Sequence, residues 1–160
     1  MIKVPFAPPR MDKKIADEVV ATLYSGWITT GPRTQKLEKN LAEYIGVSDV
    51  VCLGSATAGM ELVLRWFGVK EGDEVIVPVY TYCATANVVL HCGAKVVFCD
   101  VGNDFNIDLT ELESLITEKT KVIMPVDIGG MPCDYNELNE LVRRKDITEK
   151  FNPISQEQKE

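Results

Sequence analysis

The sequence has 160 residues, of which 46% are hydrophobic and 26% charged, and its formal net charge is −7. These values predict one globular domain with a buried core, and the acidic charge argues against nucleic acid or an anionic membrane as the main partner. No apolar run approaches the roughly 20 residues that span a bilayer. The N-terminus lacks the apolar core of a signal peptide, so we expect a cytoplasmic protein.

The cysteine pattern indicates reduced thiols. The five cysteines are Cys52, Cys83, Cys92, Cys99 and Cys133. Their number is odd, none forms a C-x-x-C pair, and four stand in apolar or small-residue runs, so we expect buried thiols in a reducing compartment. The spacing of His91, Cys92 and Cys99 fits no zinc pattern, and no metal site is expected.

The first half of the chain is predicted to contain two amphipathic helices followed by a strand and a third helix. The helices cover residues 11–24 and 32–45, and the loop between them contains Trp27. A buried strand over residues 50–53 then leads through a small polar turn into a helix that ends near Gly68.

The second half alternates strands with helices. Strands are predicted over residues 73–79, 95–99 and 121–126, and helices over residues 83–90, 109–116 and 135–142. Because the strands are continuous apolar runs, the chain is predicted to be an α/β protein with three α/β/α layers and a mostly parallel sheet. Ligands bind such sheets at the carboxyl ends of the strands, where Gly54, Tyr80, Tyr82, Asp100 and Asp127 fall. Residues 143–160 are polar and are predicted to be a loop or an unpacked tail.

The turn at Ser55–Thr57 is a candidate phosphate site. The first turn of a helix has free N–H groups and the positive end of the helix dipole, and small residues let an anion approach it. The alternative is that Ser55 or Thr57 only caps the helix, which from these residues alone is the commoner role. Gly54 and Gly59 have Walker A spacing, but the Lys and Ser/Thr of that motif are missing.

Five motifs together resemble one enzyme family. They are Gly-Trp-Ile-Thr-Thr-Gly-Pro at 26–32, Ser-Ala-Thr-Ala at 55–58, Gly-Asp-Glu-Val-Ile-Val-Pro at 72–78, Thr-Tyr-Cys-Ala-Thr-Ala-Asn at 81–87 and Gly-Ala-Lys-Val-Val-Phe-Cys-Asp-Val at 93–101. This set resembles the sugar aminotransferases of the DegT/StrS type, which are pyridoxal-phosphate (PLP) enzymes of fold type I. The resemblance covers about residues 4–142 and implies the N-terminal part of the PLP-binding large domain.

The resemblance implies a role for several residues. Ala56 and Thr57 would hold the PLP phosphate through backbone N–H groups and the Thr57 hydroxyl, beside Ser55. Tyr82 would stack on the pyridine ring, as a flat aromatic side chain can.

On the substrate side, Trp27, Thr30 and Gly31 would lie near the substrate mouth, where the partner subunit of a homodimer is also expected. Asp127 is a further candidate for contact with the substrate, and it stands where the family usually has a histidine followed by a Gly-containing loop.

The catalytic groups of PLP chemistry are expected outside this sequence. That chemistry needs a lysine amine to bond the cofactor and a carboxylate against the pyridine nitrogen, and in the family both come after the point where this chain ends, as does the small domain. We therefore expect the N-terminal part of an enzyme that moves an amino group, from glutamate, to a keto-sugar nucleotide in amino-sugar or surface-polysaccharide biosynthesis. The chain alone would be inactive and bind PLP weakly or not at all. The alternatives are a truncated homologue that acts as a binding or regulatory module, and an unrelated phosphate-binding α/β domain.

Overall fold

The computed structural model describes residues 7–151. The chain divides into two compact units, Met1–Cys52 and Leu53–Glu160. The first unit is helical, and the second contains the sheet.

The first unit contains helices α1 (Lys13–Tyr24) and α2 (Pro32–Ile45). Asp12 caps α1 by accepting a hydrogen bond from the Ile15 N–H at 3.1 Å, and Gly46 ends α2 in the left-handed conformation that favours glycine. An ion pair between Arg33 and Glu18 joins the two helices. Both predicted helices are confirmed, but neither contains a buried residue.

The strand predicted over residues 50–53 is not formed, and this prediction was wrong. The segment is irregular, and the N–H of Cys52 donates to the Glu38 carboxylate at 2.9 Å instead of to a strand. An apolar run becomes a strand only where a second strand satisfies its backbone groups. Among residues 7–151, no strand pairs with this segment.

The second unit alternates helices and strands along the chain. In order they are α3 (Ala56–Trp66), β1 (Glu74–Pro78), α4 (Ala84–His91), β2 (Lys95–Cys99), α5 (Leu109–Leu115), β3 (Thr120–Ile123), a 3₁₀ turn (Ile128–Gly130), α6 (Tyr135–Arg143) and α7 (Lys145–Thr148). The strands form a parallel sheet in the order β2-β1-β3. The strands predicted over 73–79, 95–99 and 121–126 are thus confirmed, although β3 ends three residues early.

Each face of the sheet is covered by its own core, because side chains alternate along β1. One core contains Leu64, Val69, Val75, Val77, Val88, Val89, Cys92 and Ala94. The other contains Ile76, Cys99, Ile107, Leu112, Ile116, Cys133, Leu138, Leu141 and Ile147. Helices α3 and α4 therefore cover one face and α5, α6 and α7 the other, which confirms the three-layer α/β/α prediction.

The predicted tail is partly structured, which corrects the prediction for residues 143–160. Helix α7 buries Ile147, which is 6% exposed, in the second core. Arg144 fixes the start of α7 by bonding both carboxylate oxygens of Glu113 at 2.8 Å and Asp146 at 2.7 Å. The burial of one aliphatic residue and the ion pairs of Arg144 together stabilise this turn in a polar stretch. Residues 152–160 lie outside the described part of the chain.

The cysteines also differ from the prediction. Cys92, Cys99 and Cys133 are buried, Cys52 is half-buried, and Cys83 is exposed at the start of α4. Cys83 is exposed because it precedes the first buried turn of α4. Within residues 7–151 no cluster of His, Cys, Asp or Glu could hold a metal ion. Over the same range, none of the helices has the length and apolar character needed to cross a bilayer.

Candidate functional site

The parallel sheet brings three of the predicted residues to one edge. Pro78, the last residue of β1, pairs with Cys99, the last residue of β2, and β3 runs in the same direction. Tyr82, Asp100 and Asp127 follow the ends of β1, β2 and β3 and therefore lie at the carboxyl edge, as predicted.

The first turn of α3 lies at the same end of the second unit. Glu61 and Arg65, in the second half of α3, contact His91 at the C-terminal end of α4 at 3.0 and 2.9 Å. The two helices thus run in the same direction. Since α4 starts directly after Tyr82, the start of α3 also lies towards the carboxyl edge.

The first turn of α3 has the chemistry of an anion site. Ser55 is the N-cap, and its hydroxyl accepts a hydrogen bond from the Ala58 N–H at 3.1 Å, so the predicted capping role is realised. The N–H groups of Ala56 and Thr57 have no partner within the helix, as for any first turn. The turn contains no acidic residue, and its serine and alanine are exposed. A phosphate fits this donor set, because the free N–H groups and the dipole both favour negative charge.

Tyr82 has a fixed backbone and a free ring. Its carbonyl accepts a hydrogen bond from the Thr85 N–H at 3.0 Å, and the hydroxyls of Thr81 and Thr85 bond at 2.8 Å. Thr85 is buried in α4, whereas the Tyr82 side chain is 78% exposed. The start of α4 thus holds the tyrosine backbone and leaves a ring face open to a flat ligand. The pair of Thr81 and Thr85 was not predicted, although its i, i+4 spacing across a helix start is visible in the sequence.

Trp27, Thr30 and Gly31 form one local structure in the first unit. The indole N–H of Trp27 donates to the Thr30 carbonyl at 3.0 Å, which places the ring directly over Gly31. A Cβ at Gly31 would lie 2.3 Å from the indole nitrogen. The loop borders a cavity of about 380 Å³. The structure therefore brings together three of the four predicted substrate residues.

Asp127 is bound to its own loop. Its Oδ1 accepts hydrogen bonds from the Cys133 N–H at 3.0 Å and from the Tyr135 hydroxyl at 2.9 Å. The first of these bonds, aided by the second, holds the pKa of Asp127 below its usual value. Burial, and then the bond to Asp127, raises the pKa of Tyr135 to about 12. Asp127 is thus an ionised, exposed carboxylate that organises the loop before α6, and its contact with a substrate stays a prediction.

Asn106 is a buried residue that joins two loops of the candidate site and was not predicted from the sequence. It is 3% exposed, and its amide nitrogen donates to the carbonyls of Met131 and Pro132 at 3.2 and 3.3 Å. Its oxygen accepts a hydrogen bond from the Ile128 N–H at 3.3 Å. Asn106 thus ties the loop after β2 to the loop that contains Asp127. These partners lie 22 to 26 residues away, so no local pattern could have indicated them.

Comparisons with known proteins agree with this architecture. The sequence profile of the DegT/DnrJ/EryC1/StrS aminotransferase family matches residues 9–148. The chain is 42% identical over 145 residues to the UDP-4-amino-4-deoxy-L-arabinose–oxoglutarate aminotransferase of Shewanella sediminis, covering 90% of this chain and 37% of that protein. It is 40% identical over 136 residues to the spore coat polysaccharide biosynthesis protein SpsC of Bacillus subtilis, covering 84% of this chain and 35% of SpsC.

A solved structure gives the same result. The putative sugar aminotransferase Spr1654 of Streptococcus pneumoniae, determined in PMP and PLP forms, superposes with a TM-score of 0.90 at 46% identity. The match covers 99% of this chain and 40% of Spr1654. The chain therefore spans 35–40% of the length of these relatives, and its three layers have the fold of part of the large domain of fold-type-I PLP aminotransferases. The profile match, the relatives and the superposition all lead to one assignment: this chain belongs to the DegT/DnrJ/EryC1/StrS aminotransferase family.

Proposed function

We propose that the chain is the N-terminal part of a PLP-dependent aminotransferase that transfers an amino group from glutamate to a keto-sugar nucleotide, in amino-sugar or surface-polysaccharide biosynthesis. The Shewanella relative, whose name pairs a UDP-linked amino sugar with oxoglutarate, supports both the acceptor class and the donor. SpsC, named for spore coat polysaccharide, supports the process. We expect the complete enzyme to be a homodimer.

The observation that carries this proposal is the first turn of α3. The N–H groups of Ala56 and Thr57, the Thr57 hydroxyl and the positive end of the helix dipole would bind the phosphate of PLP. Ser55 would add its hydroxyl, since a hydroxyl can donate one hydrogen bond while it accepts another. When bound, PLP supplies the electron sink for bond breaking at the amino-bearing carbon.

The other predicted residues would orient the reactants. The open face of Tyr82 would hold the pyridine ring flat and exclude water from that side. Trp27, Thr30 and Gly31 would bind on the substrate side, where an indole offers a broad apolar surface. Asp127 would present a negative charge beside the reacting groups, where the family usually has a histidine.

We further propose that the 160-residue chain does not transaminate alone. The lysines in the sheet stand near the amino ends of their strands, away from the carboxyl edge. Lys95 begins β2 and pairs with Glu74 at 2.9 Å, and Lys121, near the start of β3, donates to the Gly68 carbonyl at 3.2 Å. An ordinary lysine has a pKa near 10.4 and is mostly protonated at neutral pH, which makes it a poor nucleophile.

The cofactor assignment is tested by NMR with pyridoxine 5′-phosphate, which has the ring and phosphate of PLP but no aldehyde to react with surface lysines. We expect millimolar ligand to shift the amide resonances of Ala56, Thr57 and Tyr82. A charge-assisted hydrogen bond contributes roughly 1.5–3 kcal/mol, so Thr57→Ala should weaken binding about tenfold or more. Thr110→Ala is the matched control, because Thr110 is likewise the second residue of a helix. If Thr57→Ala and Thr110→Ala bind pyridoxine 5′-phosphate with equal affinity, the turn at Ser55–Thr57 only caps the helix and does not bind the phosphate.

The activity assignment needs a second measurement. The chain is incubated with PLP and glutamate, reduced with borohydride, and mapped by mass spectrometry for a lysine that retains the cofactor. We expect no turnover and no single stoichiometric site. A specific lysine with turnover would overturn the proposed inactivity. If the source gene has a stop codon after Glu160 and the chain does not transaminate, the truncated non-catalytic module is the better description.

A further inference from the structure

The loop between β3 and α6 is bound at both of its ends by one buried side chain. Asn106 is 3% exposed. Its amide oxygen accepts a hydrogen bond from the N–H of Ile128, the residue directly after Asp127, at 3.3 Å. Its amide nitrogen donates to the carbonyls of Met131 and Pro132 at 3.2 and 3.3 Å. One planar group therefore joins the start of the loop to its end, across the 3₁₀ turn between them.

Asn106 is itself held by the loop that follows β2. Its backbone N–H donates to the Asp104 carboxylate at 3.1 Å, and its carbonyl accepts a hydrogen bond from the Gly102 N–H at 2.9 Å. Asp104 also accepts a bond from the side-chain amide at 3.2 Å. An antiparallel bridge between Val101 and Ile107 closes the same loop. The position of Asn106 is therefore set by contacts outside the loop before α6.

The carboxylate of Asp127 depends on how this second loop closes. Its Oδ1 accepts hydrogen bonds from the Cys133 N–H at 3.0 Å and the Tyr135 hydroxyl at 2.9 Å, six and eight residues further along the chain. The two carbonyls that Asn106 binds belong to the residues immediately before Cys133. If that end of the loop moved away from Asn106, the Cys133 N–H would leave the carboxylate.

We infer that Asn106 is a positioning residue for the substrate side of the site, because it closes the loop of residues 127–133 at both ends and so fixes the carboxylate of Asp127. Asn106 makes no hydrogen bond to Asp127 and acts through the loop. The inference rests on the proposed function, in which Asp127 faces the substrate. Both bonds to Asp127 use Oδ1, so Oδ2 is the oxygen that would accept a hydrogen bond from a hydroxyl or amino group of the sugar.

Asparagine suits this position because its side chain both donates and accepts hydrogen bonds. An aspartate of the same size would keep the acceptor for the Ile128 N–H. Its second oxygen would face the carbonyls of Met131 and Pro132, and its charge would lie beside the Asp104 carboxylate. A buried acceptor that loses its donor costs free energy, so the end of the loop should then open.

The test observes Asp127 by NMR in the 160-residue chain. In Asn106→Ala, the pKa of the Asp127 carboxyl should rise towards its usual value, because the bond that lowers it first of all is lost. The Cys133 amide should exchange with water about tenfold faster. Asp146 is an internal reference, since Arg144 lowers the pKa of its carboxyl outside this loop, and that pKa should not change.

Thr120→Val is the matched control. Thr120 is also a buried polar residue, 9% exposed, and its hydroxyl accepts a hydrogen bond from a backbone N–H at 2.9 Å. It begins β3 and so lies at the amino edge of the sheet, where a loss of stability should leave the titration of Asp127 unchanged. The inference is overturned if Asp127 titrates in Asn106→Ala as in wild type, or if Thr120→Val shifts its pKa equally.

Asn106→Asp gives a pH profile that a purely structural role would not produce, and it serves as well if Asn106→Ala does not fold. At pH 7 the introduced carboxylate should leave the Cys133 amide unprotected from exchange. A buried carboxyl beside Asp104 takes up a proton well above its usual pKa, so it should regain a donor for the loop as the pH falls to about 5. Asp127 stays ionised there because its own pKa is lowered. Protection that is the same at both pH values would contradict the inference.

These measurements are independent of the cofactor assignment. Pyridoxine 5′-phosphate reports on the first turn of α3, so a wild-type chain that does not bind it refutes the proposed function. The titration of Asp127 and the exchange of the Cys133 amide are measured without ligand, and they alone decide whether Asn106 positions the carboxylate.

Discussion

Gly31 determines the shape of the Trp27 loop. The indole N–H bonds to the Thr30 carbonyl at 3.0 Å, and the ring then lies where any side chain on Gly31 would be. The backbone of Gly31 is extended, so its conformation does not require glycine. Glycine is required here because a side chain on residue 31 would overlap the Trp27 indole, which packs over this position.

We predict that Gly31→Ala releases the indole of Trp27 without unfolding the chain. The added Cβ would lie 2.3 Å from the indole nitrogen, and Trp27 is an exposed side chain that can swing away. In NMR spectra, the indole N–H of Trp27 should shift and exchange faster with water because its hydrogen bond is lost. The indole N–H of Trp66 is an internal reference and should not change.

The control for this prediction is Gly54→Ala, because a Cβ at Gly54 meets no atom within 4 Å. It should leave the Trp27 resonance unchanged. If the shift and the exchange rate of the Trp27 indole N–H are unchanged in Gly31→Ala, the loop can accommodate a Cβ at residue 31. The glycine would then have another role.

At the scale of elements, α7 is a short helix that two side chains hold in place. It has four residues, far fewer than an isolated helix needs in water. Ile147 packs into the second core, and Arg144 adds ion pairs to Glu113 and Asp146. Tertiary packing therefore stabilises a helix that local propensity would not.

We predict that Ile147→Ala lowers the free energy of unfolding by about 2–5 kcal/mol, the usual cost of an Ile→Ala change in a core. Urea unfolding followed by circular dichroism measures the change. Thr148→Ala, at the adjacent exposed position, should have a much smaller effect. If the two variants lose equal stability, α7 does not pack as described.

Local sequence patterns were sufficient to predict the strands whose neighbouring strands are present among residues 7–151. The apolar runs that became β1 and β2 were predicted almost to the residue, because neighbouring strands satisfy their backbone groups. The run at residues 50–53 has the same pattern and forms no strand, since pairing depends on another segment. The polar stretch that became α7 depends on one contact across the core.

Some residues of the candidate site could likewise be predicted from local patterns, whereas others depend on contacts between distant parts of the chain. The helix start at Ser55–Thr57 and the place of Tyr82 after a strand end have local signatures, but their cofactor roles came from the family resemblance and stay predictions. The bonds that hold Asp127 to Tyr135, and Asn106 to the same loop, join residues that only the fold brings together. The sequence therefore indicated Asp127 only as a candidate substrate contact, and its bonds to Cys133 and Tyr135 appear only in the structure.

At the scale of the whole molecule, the amino edge of the sheet has a buried charge. Glu74 accepts hydrogen bonds from the Lys95 ammonium at 2.9 Å and from the Thr117 hydroxyl at 2.7 Å. These bonds, the lysine bond first, hold its pKa below the usual 4.5. A depressed carboxyl pKa gives stability that is present above the unfolded pKa and is lost as pH falls through the folded pKa.

We predict that Glu74→Gln flattens the acid side of the stability curve. The wild-type melting temperature should fall steeply as pH drops below about 4.5, because the unfolded chain binds a proton at Glu74 more readily than the folded chain does. The glutamine keeps the size of the side chain and has no charge to titrate. Scanning calorimetry from pH 6 to pH 3 measures the slopes, with Glu118→Gln as the exposed control. If the melting temperatures of wild type and Glu74→Gln fall equally steeply with decreasing pH, the lowered pKa of Glu74 does not contribute to the acid dependence of stability.

Four of the five cysteines divide into slow and fast positions for chemical labelling, and the half-buried Cys52 lies between the two groups. Cys92, Cys99 and Cys133 are buried, and burial raises the pKa of each thiol, to about 11 at Cys99. Thiol reagents attack the thiolate, so these positions react slowly. Cys83 is exposed and immediately follows Tyr82. A maleimide dye added briefly at neutral pH would therefore place a fluorescent reporter beside the carboxyl edge of the sheet without any mutation.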